Sequence, residues 1–448
     1  MSTAKARFVG AYYEGFFLAL LLAWSPSNTL AYGAPLLMLG WFFIRTRSKT
    51  VLKNLFWLGL LWGTIILSHW PFIQDYAWAS ALMTGLTYSA FVPVFVIPTR
   101  FIRSTLLLPR MQRWIAIVVF GEAALGIVQA VYGFQQKGSF DGSTGDFVEG
   151  TIHPWLHAEL AFSNPMFAAN MTVLLLALLP ALITQRKYMI TIVMGLVSLI
   201  LASVIHVLLF VAAATVIVGV FYAEIFLRRL SSWLLIIVAL CGVLLAGNLL
   251  QRNLGTIDSF FRSTVEAETP RGEVIEHVLT TMPQEYYFMP LFGVGPGQFS
   301  SRAALITTGQ YFGKLGNRRA LPFLPVQMSR PLRDHFWEFY EKARSVKYYG
   351  STQQPAFSWL SFYTEMGGMA CVLVLLLVVI LLLHIWSKAR TYSQKILGMS
   401  LSIGILFVCF LGIQENYWEV PQAIFPSLLI LKAMYGHFIA TRRQPTSV

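Results

Sequence analysis

The chain has 448 residues, of which 56% are hydrophobic and only 12% charged, with a mean hydropathy of +0.63; soluble domains carry about a quarter charged residues, so water is excluded as the main solvent. The net charge of +13 is broken into short clusters between apolar runs rather than gathered on one face or tail, which excludes nucleic acid as a partner. Cys241, Cys371 and Cys409 all lie within apolar runs, so neither a disulfide framework nor a cysteine-based metal centre has its ligands.

Lys5 and Arg7 precede an apolar run from Phe8 to Trp24 that no Ala-x-Ala cleavage site follows, so the run is expected to remain as a first span. Apolar runs of about 17 to 25 residues predict further helices, giving spans near 8–24, 30–45, 54–70, 78–98, 114–133, 164–183, 188–204, 207–227, 233–250, 366–386, 396–413 and 421–437. The basic clusters Lys5/Arg7, Arg45/Arg47/Lys49/Lys53, Arg100/Arg103/Arg110/Arg113, Arg186/Lys187, Arg228/Arg229, Lys388/Arg390/Lys395 and Lys432/Arg442/Arg443 fall at alternate span ends. The short connections on the other side, 25–29, 71–77, 205–206 and 414–420, hold no Lys or Arg. This asymmetry predicts a multi-pass inner-membrane protein with both termini cytoplasmic.

The expected fold is therefore an all-α integral membrane protein of about twelve transmembrane helices. Residues 1–250 supply spans one to nine, including an outer loop at 134–163; residues 251–356 form a large outer loop; residues 357–448 supply spans ten to twelve and a cytoplasmic tail. Loops held by a rigid scaffold are where function concentrates. Within the large loop, 256–289 reads as helical, 290–300 as a Gly/Pro turn, and Arg330 to Tyr348 as an amphipathic helix carrying Phe336, Trp337, Phe339 and Tyr340. Those aromatics either lie on the outer membrane surface or pack over the bundle.

Three segments stand out in chain order. Ser163-Asn164-Pro165 opens the sixth span from the outer side; Ser163 or Asn164 suits a helix cap and Pro165 the first turn. The positive end of that helix would seat an anion such as a lipid phosphate, although capping alone also accounts for the residues. Thr269-Pro270-Arg271-Gly272-Glu273 is followed by Pro290-Leu291-Phe292-Gly293-Val294-Gly295-Pro296-Gly297-Gln298-Phe299. Its alternate glycines Gly293, Gly295 and Gly297 either bring backbone amides close to a ligand or form a tight turn. The third segment, Trp359-Leu360-Ser361-Phe362-Tyr363-Thr364-Glu365-Met366-Gly367-Gly368, leads into span ten.

In this order, with the large loop between spans nine and ten, the segments resemble the O-antigen ligase and O-antigen polymerase superfamily, from roughly residue 115 to residue 437. The resemblance implies a GT-C-like fold and a metal-independent glycosyltransferase needing no cofactor. Such an enzyme moves a saccharide from undecaprenyl diphosphate to an acceptor hydroxyl at the periplasmic face, the acceptor being a glycan, a lipid A-core or a protein. Two departures stand out. Ser203-Val204-Ile205-His206 occupies the outer turn where the family often has Ser-Arg, and Gln353-Gln354-Pro355-Ala356-Phe357 the place where it commonly has His-Asn.

Transfer from a prenyl diphosphate needs a cation for the leaving group and a base for the acceptor. Arginine pairs bidentately with phosphate oxygens and stays charged when half buried. Arg271, matching the family's loop arginine, is the catalytic candidate, and Arg252 and Arg262 near the outer end of span nine are further substrate-binding candidates. His335 is the candidate base, since histidine titrates near neutrality. His206 either contacts phosphate or caps a turn, and Asn164 joins the three turn glycines as a substrate-binding candidate. His153 and His157, near Glu159, lack a third ligand at recognisable spacing, so no metal is expected. Glu14 and Glu122 fall inside spans, where ionisable groups are costly. They keep open a transporter or flippase, although the two related halves of a carrier are not evident. The missing His-Asn keeps open a non-catalytic subunit of a polysaccharide assembly system.

Overall fold

The computed structural model describes residues 3–138, 147–154, 163–223, 269–309, 324–343 and 354–442. The predicted span at 233–250, the end of the one at 207–227, Arg252, Arg262 and His157 lie outside them. Among the described residues every regular element is a helix. Eight helices are long and apolar enough to cross a membrane: Lys5–Ala23, Lys49–Phe72, Trp78–Val96, Leu107–Lys137, Asn164–Leu182, Ser358–Lys388, Tyr392–Gln414 and Pro421–Thr441. The chain is thus an all-α, multi-pass membrane protein. Asn28–Thr46, Met189–Leu201 and Ile205–Phe221 are further apolar helices at predicted span positions.

Local chemistry fixes many of the ends. Ser27 and Ser48 cap Asn28–Thr46 and Lys49–His69, and Thr391 with Gln394 forms a capping box at the start of Tyr392–Gln414. These hydroxyls satisfy amides that the first helical turn leaves without partners. The predicted span 78–98 is broken, with a 3-10 turn at Tyr88–Phe91 between Trp78–Thr87 and Val92–Val96. Pro93, in the first turn of Val92–Val96, lacks the N–H that a continuous helix requires.

Pro421–Thr441 runs through the middle of the bundle, against Asn164–Thr184, Tyr392–Gln414 and the first two helices. Its side chains are buried on every face, from Ile424 and Phe425 to Ala433 and Phe438. Ser358–Lys388 is the opposite case. Gly367 divides its 31 residues, and the stretch from Gly368 to Lys388 spans about 32 Å at 1.5 Å per residue, close to the roughly 30 Å hydrocarbon layer. Ser358, Leu360, Ser361, Thr364, Glu365 and Gly367 are buried in protein at its first end, while Val372, Leu373, Leu376, Leu377 and Ile380 further along are exposed for lipid to cover.

That first part is broken at Gly367, whose φ of +83° and ψ of 164° are not helical. The break lets the Pro290–Gly297 turn enter the helix. Val294 N–H donates to Thr364 O at 2.8 Å and Gly295 N–H to Glu365 O at 3.0 Å, capturing carbonyls near the kink. A Cβ on Gly367 would lie 2.1 Å from Leu291 O, and one on Gly293 would lie 2.4 Å from Glu365 O. Only glycine permits so close an approach at these positive φ values.

Around this junction the large loop builds its own core. Val274, Val278, Met282, Met289, Val294, Phe299, Leu332 and Phe336 cluster with Ile66 from the Lys49–His69 helix and Tyr76 from the connection that follows it. The predicted helix over 256–289 is, in its described part, Pro270–Thr280 followed by a short turn at Met282–Glu285. The predicted helix from Arg330 to Tyr348 is two short ones, Arg330–His335 and Trp337–Ala343, broken at Phe336. Phe336 and Tyr340 are buried, with Trp337 and Phe339 packed on the same core. The aromatics therefore take the packing alternative, because the loop core buries more of their area than a membrane surface would.

Glu14 binds Arg45 at 3.0 Å and Trp41 Nε1 at 3.2 Å. Glu122 accepts the Thr151 N–H at 2.9 Å. Each carboxylate thus ties one segment to another, a structural use for a costly group.

Candidate functional site

The site is built where the loop meets the span ends. Thr269 caps Pro270–Thr280 by accepting the Gly272 N–H, and Pro270 supplies the preset φ of a first helical position. This places Arg271 in the first turn, directed at the C-terminal end of Tyr392–Gln414, and wholly buried. Its Nη1 donates to Gln414 O at 3.0 Å and its Nη2 to Ile413 O. The guanidinium lies 4.3 Å from the Phe357 ring centroid. The cation therefore satisfies carbonyls that the helix end leaves open and sits at the negative pole of its dipole. Burial lowers its pKa to about 10, with Glu415 opposing that shift, so it stays charged at neutral pH.

The connection after this helix, Glu415-Asn416-Tyr417-Trp418-Glu419, supplies the acidic and phenolic groups. Burial pushes the Glu415 carboxyl up to about 7, while Arg302 and Arg271 pull the other way. Glu415 is half-buried, and Arg302, at the start of Arg302–Thr307, is half-buried as well. Tyr417 is buried and its hydroxyl meets His206 Nε2 at 3.0 Å, the two rings stacked at 5.9 Å. Burial and the neighbouring Glu415 hold the Tyr417 phenol well above its usual range. Glu419, pushed up by burial and then by Glu365, accepts the Arg302 N–H at 2.6 Å and lies 3.5 Å from the Tyr88 hydroxyl. Arg271 and His206, proposed separately from the sequence, thus meet around Tyr417 and Glu415.

The turn glycines serve a different purpose from an open cradle. Gly293 N–H donates to Met289 O, Gly295 N–H to Glu365 O, and Gly297 N–H to Glu365 Oε2 at 2.6 Å. Phe299 and Ser301 N–H groups donate to Glu365 Oε1, each at 3.1 Å. The concavity of backbone amides that suits a phosphate is filled by the protein's own carboxylate. The same holds at Asn164. Neither Ser163 nor Asn164 caps its helix with a side chain; Asn164 Nδ2 donates to Ala202 O at 2.9 Å, and Glu149 Oε1 accepts the Ser163 N–H at 3.2 Å. An acidic side chain already occupies the helix start where an external anion was expected.

His335, itself buried, lies in a second cluster whose charged members reach the loop surface. Its Nε2 meets Glu285 Oε2 at 2.9 Å and its Nδ1 meets His277 Nε2 at 2.9 Å. Arg330 binds Glu285 at 2.9 Å and Asp334 at 3.3 Å, and Arg333 reaches Asp75 at 3.3 Å. Burial, and then the adjacent His335, lower the His277 pKa. His277 is six residues beyond Arg271 on one helix, about 9 Å along its axis, so the two clusters are separate. His153 Nδ1 pairs with Glu149 at 2.7 Å. Among the described residues no group of three or more His, Cys, Asp or Glu side chains is arranged to hold a metal.

Glu415, Glu419, Arg302 and His277 escaped the sequence reading. The signal for the first two was present: 414–420 is longer than a turn requires and carries two carboxylates beside Asn416 and Tyr417. The chain matches no family model, and no curated protein or solved structure is significantly similar to it.

Proposed function

We propose that the protein is a glycosyltransferase of the bacterial inner membrane, with about twelve spans in a GT-C-like arrangement and both termini in the cytoplasm. It moves a saccharide from undecaprenyl diphosphate to an acceptor hydroxyl at the periplasmic face, in the manner of an O-antigen ligase or polymerase. The observation that carries this reading is the meeting of Arg271, Arg302 and Glu415 where the loop closes on the span ends. Two arginines supply positive charge for a departing diphosphate. Glu415, half-buried and titrating at about 7, is suited to accept the proton of an attacking hydroxyl. A bound diphosphate raises its proton affinity further, because like charge disfavours ionisation. His335 has both ring nitrogens engaged, so the base role passes from it to Glu415.

The test is glycan transfer by purified protein given a prenyl-diphosphate glycan and candidate acceptors. Transfer that Arg271→Ala abolishes and Glu415→Gln reduces by about 10² or more supports the reading. No transfer to any acceptor sinks it, and loss in His335→Gln with Glu415→Gln intact returns the base to the histidine. A second reading, a non-catalytic assembly subunit, is favoured by the two helix carbonyls that Arg271 already binds. It predicts an inactive wild type whose Arg271→Ala variant unfolds.

A further inference from the structure

On the membrane face opposite the loop, the ends of three chain segments enclose a cavity of about 550 Å³. Arg103 reaches it from the connection between Thr99–Ile102 and Leu107–Lys137; Lys388 closes the Ser358–Lys388 span, and Arg442 follows the final helix. His384, one turn before Lys388, also lines it, and no Asp or Glu is among the lining residues. Arg103, Lys388 and Arg442 thus bring three cationic side chains to one hollow. Tyr435, Phe438 and Ile439 make the remaining wall apolar. The Tyr435 ring stands edge-on to His384, 6.4 Å between centroids.

We propose that this cavity holds the phosphate-bearing headgroup of an anionic membrane lipid. The size suits such a group, since ligand cavities run from about 300 to 1,000 Å³. The charge suits it, because arginine and lysine together give forked and point-charge contacts to phosphate oxygens. Basic hollows between span ends are a recognised form of acidic-lipid site. Lipid rather than soluble phosphate follows from the apolar wall and from Leu383 and Trp386, exposed on the same helix beside the cationic residues, where acyl chains can lie. The cavity shares no residue with the loop-side cluster and stands whether or not the protein transfers glycans.

The test is native mass spectrometry of the full chain in neutral detergent, titrated with phosphatidylglycerol or phosphatidylcholine and, separately, with inorganic phosphate. The expected result is phosphatidylglycerol binding at least tenfold tighter than phosphatidylcholine. Lys388→Gln with Arg442→Gln cuts that preference at least fivefold, while Arg442→Lys keeps it and Arg333→Gln on the loop side leaves it unchanged. The single Gln variants carry the same comparison if the double one does not fold. Equal binding of the two lipids, or a preference indifferent to the Gln changes, overturns the proposal. Phosphate binding at this site without any lipid preference overturns it too, assigning the cavity to a soluble phosphate compound.

Discussion

Glu415 offers the sharpest test of the chemistry proposed for the loop-side cluster. A carboxyl at about 7 is about 3% ionised at pH 5.5 and about 90% ionised at pH 8, whereas an ordinary one is about 90% ionised already at pH 5.5. If ionised Glu415 is the base, kcat/KM for the donor, which reports the unliganded protein, rises about thirty-fold between pH 5.5 and 8. Glu415→Gln removes that limb and leaves a low, flat rate. The sign for stability runs the other way: the folded state binds the proton more tightly than the unfolded one, so stability is greatest below the ordinary carboxyl pKa and declines as pH rises through about 7. Activity and stability should therefore diverge over the same interval. A transfer rate that is flat from pH 5.5 to 8 in the wild type, or an ascending limb that survives Glu415→Gln, refutes the assignment.

Arg271→Ala leaves two helix carbonyls without their charged donor, each such bond being worth about 1.5–3 kcal/mol, so its melting temperature in detergent should fall along with transfer. Arg271→Lys keeps the charge but not the two-pronged contact, and should recover part of the melting temperature but less of the turnover. Gly367→Ala places a methyl 2.1 Å from Leu291 O at a positive φ; limited proteolysis should then cut the 290–301 segment faster than in the wild type. Glu365→Gln has one oxygen to serve three N–H donors, and should lower the melting temperature by an amount that Glu285→Gln on the loop surface does not match.

Most spans were legible in the sequence because twenty apolar residues in lipid have one backbone solution, the helix. Pro93 shows where that reading stops: hydropathy stays high across Trp78–Val96 while the backbone turns at Tyr88–Phe91. The site was legible in part. Thr269 and Pro270 announce a helix start that fixes where Arg271 sits, but not that its fork is spent on carbonyls 143 and 142 residues away. Glycines that look like an open phosphate cradle are indistinguishable, in sequence, from a cradle the chain fills itself, here with Glu365 from a segment more than sixty residues away. Glu415 was hidden because its pKa is a product of burial, which no local pattern of residues expresses.

The break at Gly367 makes residues 290–301 and 361–368 one mechanical unit, although more than fifty positions of chain separate them. Exchanging the loop of this protein for another therefore has natural cut points outside both segments, not at the loop's ends. A chimera cut at residue 357 would bring a foreign turn to a socket shaped for this one. A graft carrying both pieces keeps plug and socket matched.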